Sequence, residues 1–109
     1  MSIDIALYDG RPAGGGRNGA RMLHLAHPGE ALDEALARHA DPARHRLGRI
    51  DPYGDTLFDA QDAGAAFEEA TALLARCTTE EQRAAVRELR DLLAECAATP
   101  GRWLVFLGD

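Results

Sequence analysis

Apolar positions alternate with period two over Ile3-Asp4-Ile5-Ala6-Leu7-Tyr8. Successive side chains of a strand point to opposite sides, so Ile3, Ile5 and Leu7 share one face of a first predicted strand. Asp9-Gly10 closes it. Gly14, Gly15, Gly16, Gly19 and Pro12 follow within a few residues, which predicts a flexible Gly-rich connection over residues 10–19. A phosphate-binding loop would need a helix opening directly behind such glycines. Met22-Leu23-His24-Leu25-Ala26 reads instead as a second strand, ended by His27-Pro28-Gly29. The pattern then turns helical from Glu30 to Ala40, with Leu32, Ala35, Leu36 and His39 at helical spacing. Asp41-Pro42 has the form of an N-cap followed by a first-turn proline and predicts a short second helix through Arg49.

Pro and Gly punctuate Ile50-Asp51-Pro52-Tyr53-Gly54 as a turn, and Pro52 pushes Asp51 toward extended geometry. Asp55 is the expected N-cap of a long helix that starts at Thr56 and runs to about Cys77. Its apolar positions are Leu57, Phe58, Phe67, Ala70, Leu73, Leu74 and Cys77, and Gly64 inside it predicts close packing or a bend. Thr78 with Glu81, or Thr79 with Gln82, forms a capping box for the next helix. Val86, Leu89, Leu92, Leu93 and Cys96 give that helix one stripe as far as Ala98. Two long helices joined by so short a turn are antiparallel neighbours. Thr99-Pro100-Gly101 stops the second, and Arg102 to Leu107 is a nearly continuous apolar run, the pattern of a strand in the centre of a sheet. The order β-β-α-α-α-β predicts an α+β fold, a small three-stranded sheet packed against an antiparallel helical hairpin, with the last strand paired to the first.

Length and charge narrow the function classes. A chain of 109 residues is one domain, 1–109, with a modest core. No apolar run approaches the ~20 residues of a membrane span, and Met1-Ser2-Ile3-Asp4 lacks the basic opening of a secretory signal, so a cytoplasmic protein with no membrane association is expected. All 12 basic residues are Arg, and the net charge is −6. That balance argues against nucleic acid, whose phosphates need a basic face, and suits a basic protein partner. Arg44, Arg46 and Arg49 read as a solvated patch balancing the acidic segment beside them. Cys77 and Cys96, near the C-terminal ends of antiparallel helices, would lie roughly 20–25 Å apart, too far for a disulfide. They are expected to be reduced thiols packed as small apolar residues.

The candidate chemistry concentrates in Arg49 to Asp62. Asp51, Asp55, Asp59 and Asp62 follow one another at spacings of four, four and three. On a helix, Asp55, Asp59 and Asp62 fall on one face, either as favourable charges near the N-terminus or as an acidic docking face. The spacing fails the test for a calcium loop, which needs ligands at alternating positions with a central Gly and a distal Glu. His24 and His27, three apart on a strand, point to opposite faces and cannot share an ion, and His39 and His45 straddle a helix break. Ser2 is the sole serine, and no Ser-His-Asp or Cys-His arrangement is evident. No cofactor and no resident metal are expected.

The string IDPYGDTLFDAQ, followed by two helices with a late Cys96 and a terminal WLVFLGD, resembles small bacterial proteins that share a DPYGDT-hydrophobic-Phe core and a closing aromatic–Gly–Asp. The likeness covers Arg49 to Asp109. Those proteins are similar to the immunity proteins of bacterial toxin systems, small acidic cytoplasmic domains that bind and block a cognate toxin. The resemblance implies a signature of Asp51, Tyr53, Asp55, Thr56, Phe58 and Gln61. Where that family often has Asn after Phe, this chain has Asp59, which makes the segment more acidic.

The leading expectation is therefore a non-enzymatic protein-binding domain, an immunity protein that meets a basic toxin domain through Asp51, Tyr53, Asp55, Asp59 and Asp62. Tyr53 would be the aromatic anchor. The alternative is a small divalent-metal-dependent enzyme or ligand-binding domain built on Asp51, Asp55 and Asp59. A third option is a homodimer that shares the apolar stripe of the helical hairpin.

Overall fold

The computed structural model describes residues 2–12 and 20–108. Its described elements are β1 (Asp4–Tyr8), β2 (Met22–Ala26), α1 (Glu30–His39), a single 3-10 turn (Leu47–Arg49), β3 (Asp55–Phe58), α2 (Ala60–Leu74), α3 (Glu80–Ala98) and β4 (Trp103–Leu107). One antiparallel sheet, in the order β2-β1-β4-β3, forms one layer, and the helices form the other. The fold is α+β as expected, but the sheet has four strands where three were expected. The expected loop over residues 10–19 lies, from Ala13 to Gly19, outside the described residues. The chain on either side of it is tied together: Asp9 N–H donates to Arg21 O at 3.0 Å, and Arg21 N–H donates to the Asp9 carboxylate at 2.7 Å.

The additional strand is the segment expected to open the long helix. Thr56, Leu57 and Phe58 are β-branched, branched aliphatic and aromatic, and two of the three are types that suit a pleated surface. They find a partner in β4, with Asp55 opposite Leu107, Thr56 opposite Phe106 and Phe58 opposite Leu104. The helix then begins one turn later. Asp59 is its N-cap and accepts from Asp62 N–H at 2.8 Å, while the Asp62 carboxylate accepts from Asp59 N–H at 3.3 Å. This is a reciprocal capping box made from two aspartates. The helix ends at Leu74 and does not reach Cys77.

A second correction concerns residues 41–49, where a helix was expected. The Asp41 signal is used, since its carboxylate accepts from Ala43 N–H at 2.9 Å and its carbonyl from His45 N–H at 2.8 Å. The turn does not propagate. Gly48 packs back on Asp41-Pro42 so closely that a Cβ there would lie 2.5 Å from their backbone atoms. Glu69 of α2 then takes the N–H groups of Arg46 and Leu47 at 3.1 and 3.0 Å, which fixes a single 3-10 turn.

The other signals are realised where the pattern put them. Thr79 caps α3 by accepting from Gln82 N–H at 3.1 Å, and the Gln82 side chain reaches back to Thr78 N–H at 3.2 Å. β4 is a central strand between β1 and β3. α3 packs against both α1 and α2 and over β1 and β4. Val86, Leu89, Leu93 and Cys96 of its stripe are fully buried against Ile5, Leu7, Leu104 and Phe106. That stripe lies in the chain's own core. Phe58 and Phe106 meet edge to face at 4.9 Å between centroids, which locks β3 to the core. Gly64 of α2 leaves room for ordinary contact with Ala97. Both cysteines are free and buried. No helix among the described residues is long and apolar enough to cross a membrane.

Candidate functional site

The Asp51–Asp55 turn is built by its own side chains. The Asp51 carboxylate accepts from Tyr53 N–H at 2.9 Å, closing an Asx turn, and Asp51 N–H donates to Thr56 Oγ1 at 3.0 Å. The end of β4 lies against it. Gly108 N–H donates to Gly54 O at 2.8 Å, and a Cβ on Gly108 would come within 2.7 Å of Gly54 O, the Pro52 carbonyl carbon and Asp51 O. The DPYGDT string and Gly108, about 55 residues apart in the chain, are therefore in contact. Only glycine fits at 108 without displacing backbone.

That scaffold presents Tyr53 outward, 68% exposed, between exposed Asp51 and Asp55. Asp59 and Asp62 are placed differently. The one-face grouping of Asp55, Asp59 and Asp62 assumed a helix through all three. Along the observed strand, Asp55 and Asp59 are roughly 13 Å apart at 3.3 Å per residue. Asp59 caps α2, and Asp62 completes the box and pairs with Arg46, Nε to Oδ1 at 3.0 Å. Burial opposes ionisation of Asp62. The Arg46 hydrogen bond and the bonds from Asp59 outweigh it and hold the carboxyl below its usual range. Of the five expected partner-binding residues, Asp51, Tyr53 and Asp55 form one presented group, and Asp59 and Asp62 serve the helix start.

The same separation removes the geometric basis for a divalent ion held by Asp51, Asp55 and Asp59. Among the described residues, no group of three or more His, Cys, Asp and Glu is placed to hold a metal. The other signature residues divide in the same way. Thr56 supports the turn, Phe58 is core, and Gln61 is exposed in the first turn of α2.

Two cavities adjoin this region. One, of about 260 Å³, lies between α1 and the turn, with Ile3, Leu36, Leu47 and Ile50 as apolar walls, Asp33 as an acidic wall and Tyr53 at its rim. Asp33 accepts from Ile3 N–H at 3.2 Å. The second, of about 80 Å³, is lined by His39, His45, Glu69 and Arg76. His45 Nδ1 accepts from Asp41 N–H at 2.9 Å, which puts the proton of the neutral ring on Nε2. His39 Nε2 is buried with no hydrogen-bond partner among the described residues, and a cavity of this size has room for a water. Glu69 and Asp33 were not picked out by the sequence pattern, and Ile3 was read only as a strand residue. Arg46 stood in the expected basic patch, and its pairing with Asp62 is the balancing role given to that patch. His27 Nδ1 pairs with Asp4 at 2.8 Å, away from His24.

The thiols are unsuited to nucleophilic chemistry. Burial pushes the Cys96 thiol up to about 11, with the Asp59 and Asp62 charges adding and Arg102 opposing. Burial also raises Cys77, against Arg83 and Arg87. No protein-family model, curated protein or solved structure matches this chain.

Proposed function

We propose that this chain is a non-enzymatic protein-binding domain that blocks a basic partner, in the manner of a toxin-immunity protein. The observation that carries the reading is the turn itself. Asp51, Tyr53 and Asp55 stand exposed on a backbone held by the Asx turn, by Thr56 and by Gly108. An exposed aromatic on a braced backbone between two carboxylates is suited to be the anchor of an interface whose other side is cationic. Pre-organisation lowers the ordering cost of binding. The net charge of −6 steers a basic partner toward the domain and makes association sensitive to salt.

The test is association with a basic toxin domain at several salt concentrations, using wild type, Tyr53→Ala and Asp55→Lys. The Asp55 side chain makes no hydrogen bond or ion pair among the described residues and can be reversed without touching the bonds that hold the turn. Asp51 is changed to Asn, which still accepts from Tyr53 N–H. The reading expects slower association at higher salt and in Asp55→Lys, and faster dissociation in Tyr53→Ala. Salt-insensitive association that is unchanged in all three variants would defeat it.

A further inference from the structure

We propose that the free edge of β2 is a self-association surface, where a second copy of this chain adds its own β2 antiparallel and joins the two sheets into one. β2 lies at one end of the order β2-β1-β4-β3 and pairs only with β1. Its outward N–H and C=O groups make no hydrogen bond among the described residues. Such an edge is a template for another strand, and native edges are blunted by charged side chains or proline. Met22-Leu23-His24-Leu25-Ala26 contains no Lys, Arg, Asp, Glu or Pro. A bulge opposite Leu7 and Tyr8 displaces only the start of the strand. The helical layer stops short of β2, since His24, on the helix side by its register opposite Leu7, is exposed. Leu25 and Met22 lie on the other face, opposite Ala6 and Tyr8, with Leu23 two residues before Leu25. Met22, Leu23 and Leu25 are 45%, 43% and 44% exposed, three of the four large apolar side chains left exposed among the described residues. An apolar cluster of this kind marks an interaction surface.

A second copy fits this edge because the edge is complementary to itself. Antiparallel pairing about a two-fold axis at His24 sets Leu23 opposite the second copy's Leu25, and Leu25 opposite its Leu23. These are two apolar cross-strand pairs on one face. The apolar row Leu57–Val105–Ala6–Leu25 that crosses one sheet then continues into the other. Charge points the same way. Two domains of net charge −6 repel unless they meet where carboxylates are few, and β2 has none. In this register Arg21 comes opposite the second copy's His27, whose Nδ1 pairs with Asp4 at 2.8 Å. The Arg21 side chain makes no ion pair among the described residues, and the two-fold brings one guanidinium toward an Asp4 carboxylate at each end. A five-residue edge buries less than the ~1,200 Å² at which standard interfaces begin, so the dimer is weak, with Kd roughly 0.1 mM. β2 lies at the opposite end of the sheet from β3 and the turn before it, which separates self-association from docking at Tyr53.

The test is sedimentation equilibrium of the whole chain over a range from about 10 µM to about 1 mM, which brackets that Kd. A mass that rises with concentration from 11.7 kDa toward twice that value is expected. Leu25→Lys puts a charge into the self-paired row and should weaken the dimer by about tenfold or more. Ala84→Lys makes the same charge change at an exposed position of α3 and should leave the dimer as in wild type. Circular dichroism checks the fold of each variant, and Leu23→Lys replaces Leu25→Lys if the latter unfolds. The register is read with single new cysteines, since Cys77 and Cys96 are buried. Facing residues of an antiparallel pair have Cα atoms about 4.5–5.5 Å apart, within the span of a disulfide. His24→Cys should therefore give a covalent dimer on mild air oxidation. Leu25→Cys, about 8 Å from its own counterpart in this register, should not. The pairing is refuted by a monomeric mass at every concentration, by a dimer indifferent to the Lys substitution on β2, by equal loss in Ala84→Lys, or by Leu25→Cys cross-linking as readily as His24→Cys.

Discussion

Asp55 and Asp59 are four residues apart, and each could cap a helix, yet the structure gives the cap to Asp59 and a strand to Asp55. Replacing each by Ala separates the two placements. Asp59→Ala removes the acceptor that takes Asp62 N–H at 2.8 Å and leaves that donor at a partly buried helix start. Loss of an aspartate cap costs about 1 kcal/mol, within a range of roughly 0.5–2. The reciprocal bond from Asp59 N–H to Asp62 is longer, at 3.3 Å, and survives the substitution because its donor is backbone. The expected loss is therefore about 1 kcal/mol, which for a domain near this size lowers Tm by about 4–8 °C. Asp59→Asn keeps the acceptor and should stay within about 0.5 kcal/mol of wild type. Asp55→Ala, on an exposed strand position, should also stay within about 0.5 kcal/mol. The assay is urea unfolding followed by circular dichroism, with a shifted midpoint and an unchanged slope for Asp59→Ala. If Asp55→Ala loses as much stability as Asp59→Ala was expected to lose, and Asp59→Ala loses none, the assignment of the cap is refuted.

Three other outcomes follow from the same geometry. Gly108→Ala forces a Cβ to within 2.7 Å of the backbone of residues 51–54. An overpacked site of this kind costs about 1–3 kcal/mol, read as a lowered urea midpoint together with shifted amide resonances at Tyr53 and Gly54; unchanged resonances would deny the contact. Asp62 is held below the usual carboxylate range, so its contribution to stability is present above an unfolded value of about 3.9 and is lost as pH falls through its lower folded value. The stability difference between wild type and Arg46→Met should accordingly narrow as the pH drops below about 4, and a difference constant to pH 2 would contradict the pairing. Cys96 has the opposite sign. Its thiol is raised to about 11, so stability should be complete below the ordinary thiol value of about 8.5 and fall as pH rises toward 11. A Cys96→Ala variant should lose that alkaline dependence, and rapid alkylation of Cys96 in the folded protein near neutral pH would contradict its burial.

Much of the fold was legible because its signals are local. The alternation of Ile3, Ile5 and Leu7 marked β1, the Thr79 cap marked the start of α3 although Gln82 reaches back to Thr78 and not to Thr79, and the unbroken run from Trp103 marked a central strand. The errors arose where a local signal was ambiguous and a distant partner decided. Thr56-Leu57-Phe58 is too short to show a period, and only pairing with β4 makes it a strand. An Asp-x-x-Asp box is also a weaker signature than the Ser/Thr-x-x-Glu/Gln form, so the cap was placed one turn early. Asp41 was read correctly as a turn starter, but Gly48 and Glu69 stop the helix through contacts that sequence spacing does not carry.

The candidate site divides along the same line. Asp51, Tyr53 and Asp55 were legible because Pro52 and Gly54 mark their turn. Asp59 and Asp62 were misplaced with the helix start, so their reversal to Lys would disturb the α2 cap as well as charge at the surface. Ile3 and Asp33 were invisible as neighbours of Tyr53, since they join it only through the packing of α1 beside the turn. Gly108 is placed by a different long-range contact, the pairing of β4 with β3, which closes the last strand on the DPYGDT string.

The central claim is that the Asp51–Asp55 turn is where a basic partner docks. The most direct measurement places a photo-crosslinking phenylalanine analogue at position 53 and irradiates the complex with a basic toxin domain, with and without Asp55→Lys. The account predicts one adduct at a cationic surface of the partner, lost at high salt and in Asp55→Lys. A complex that forms normally but yields no adduct at position 53, or an adduct indifferent to both salt and Asp55→Lys, would contradict it.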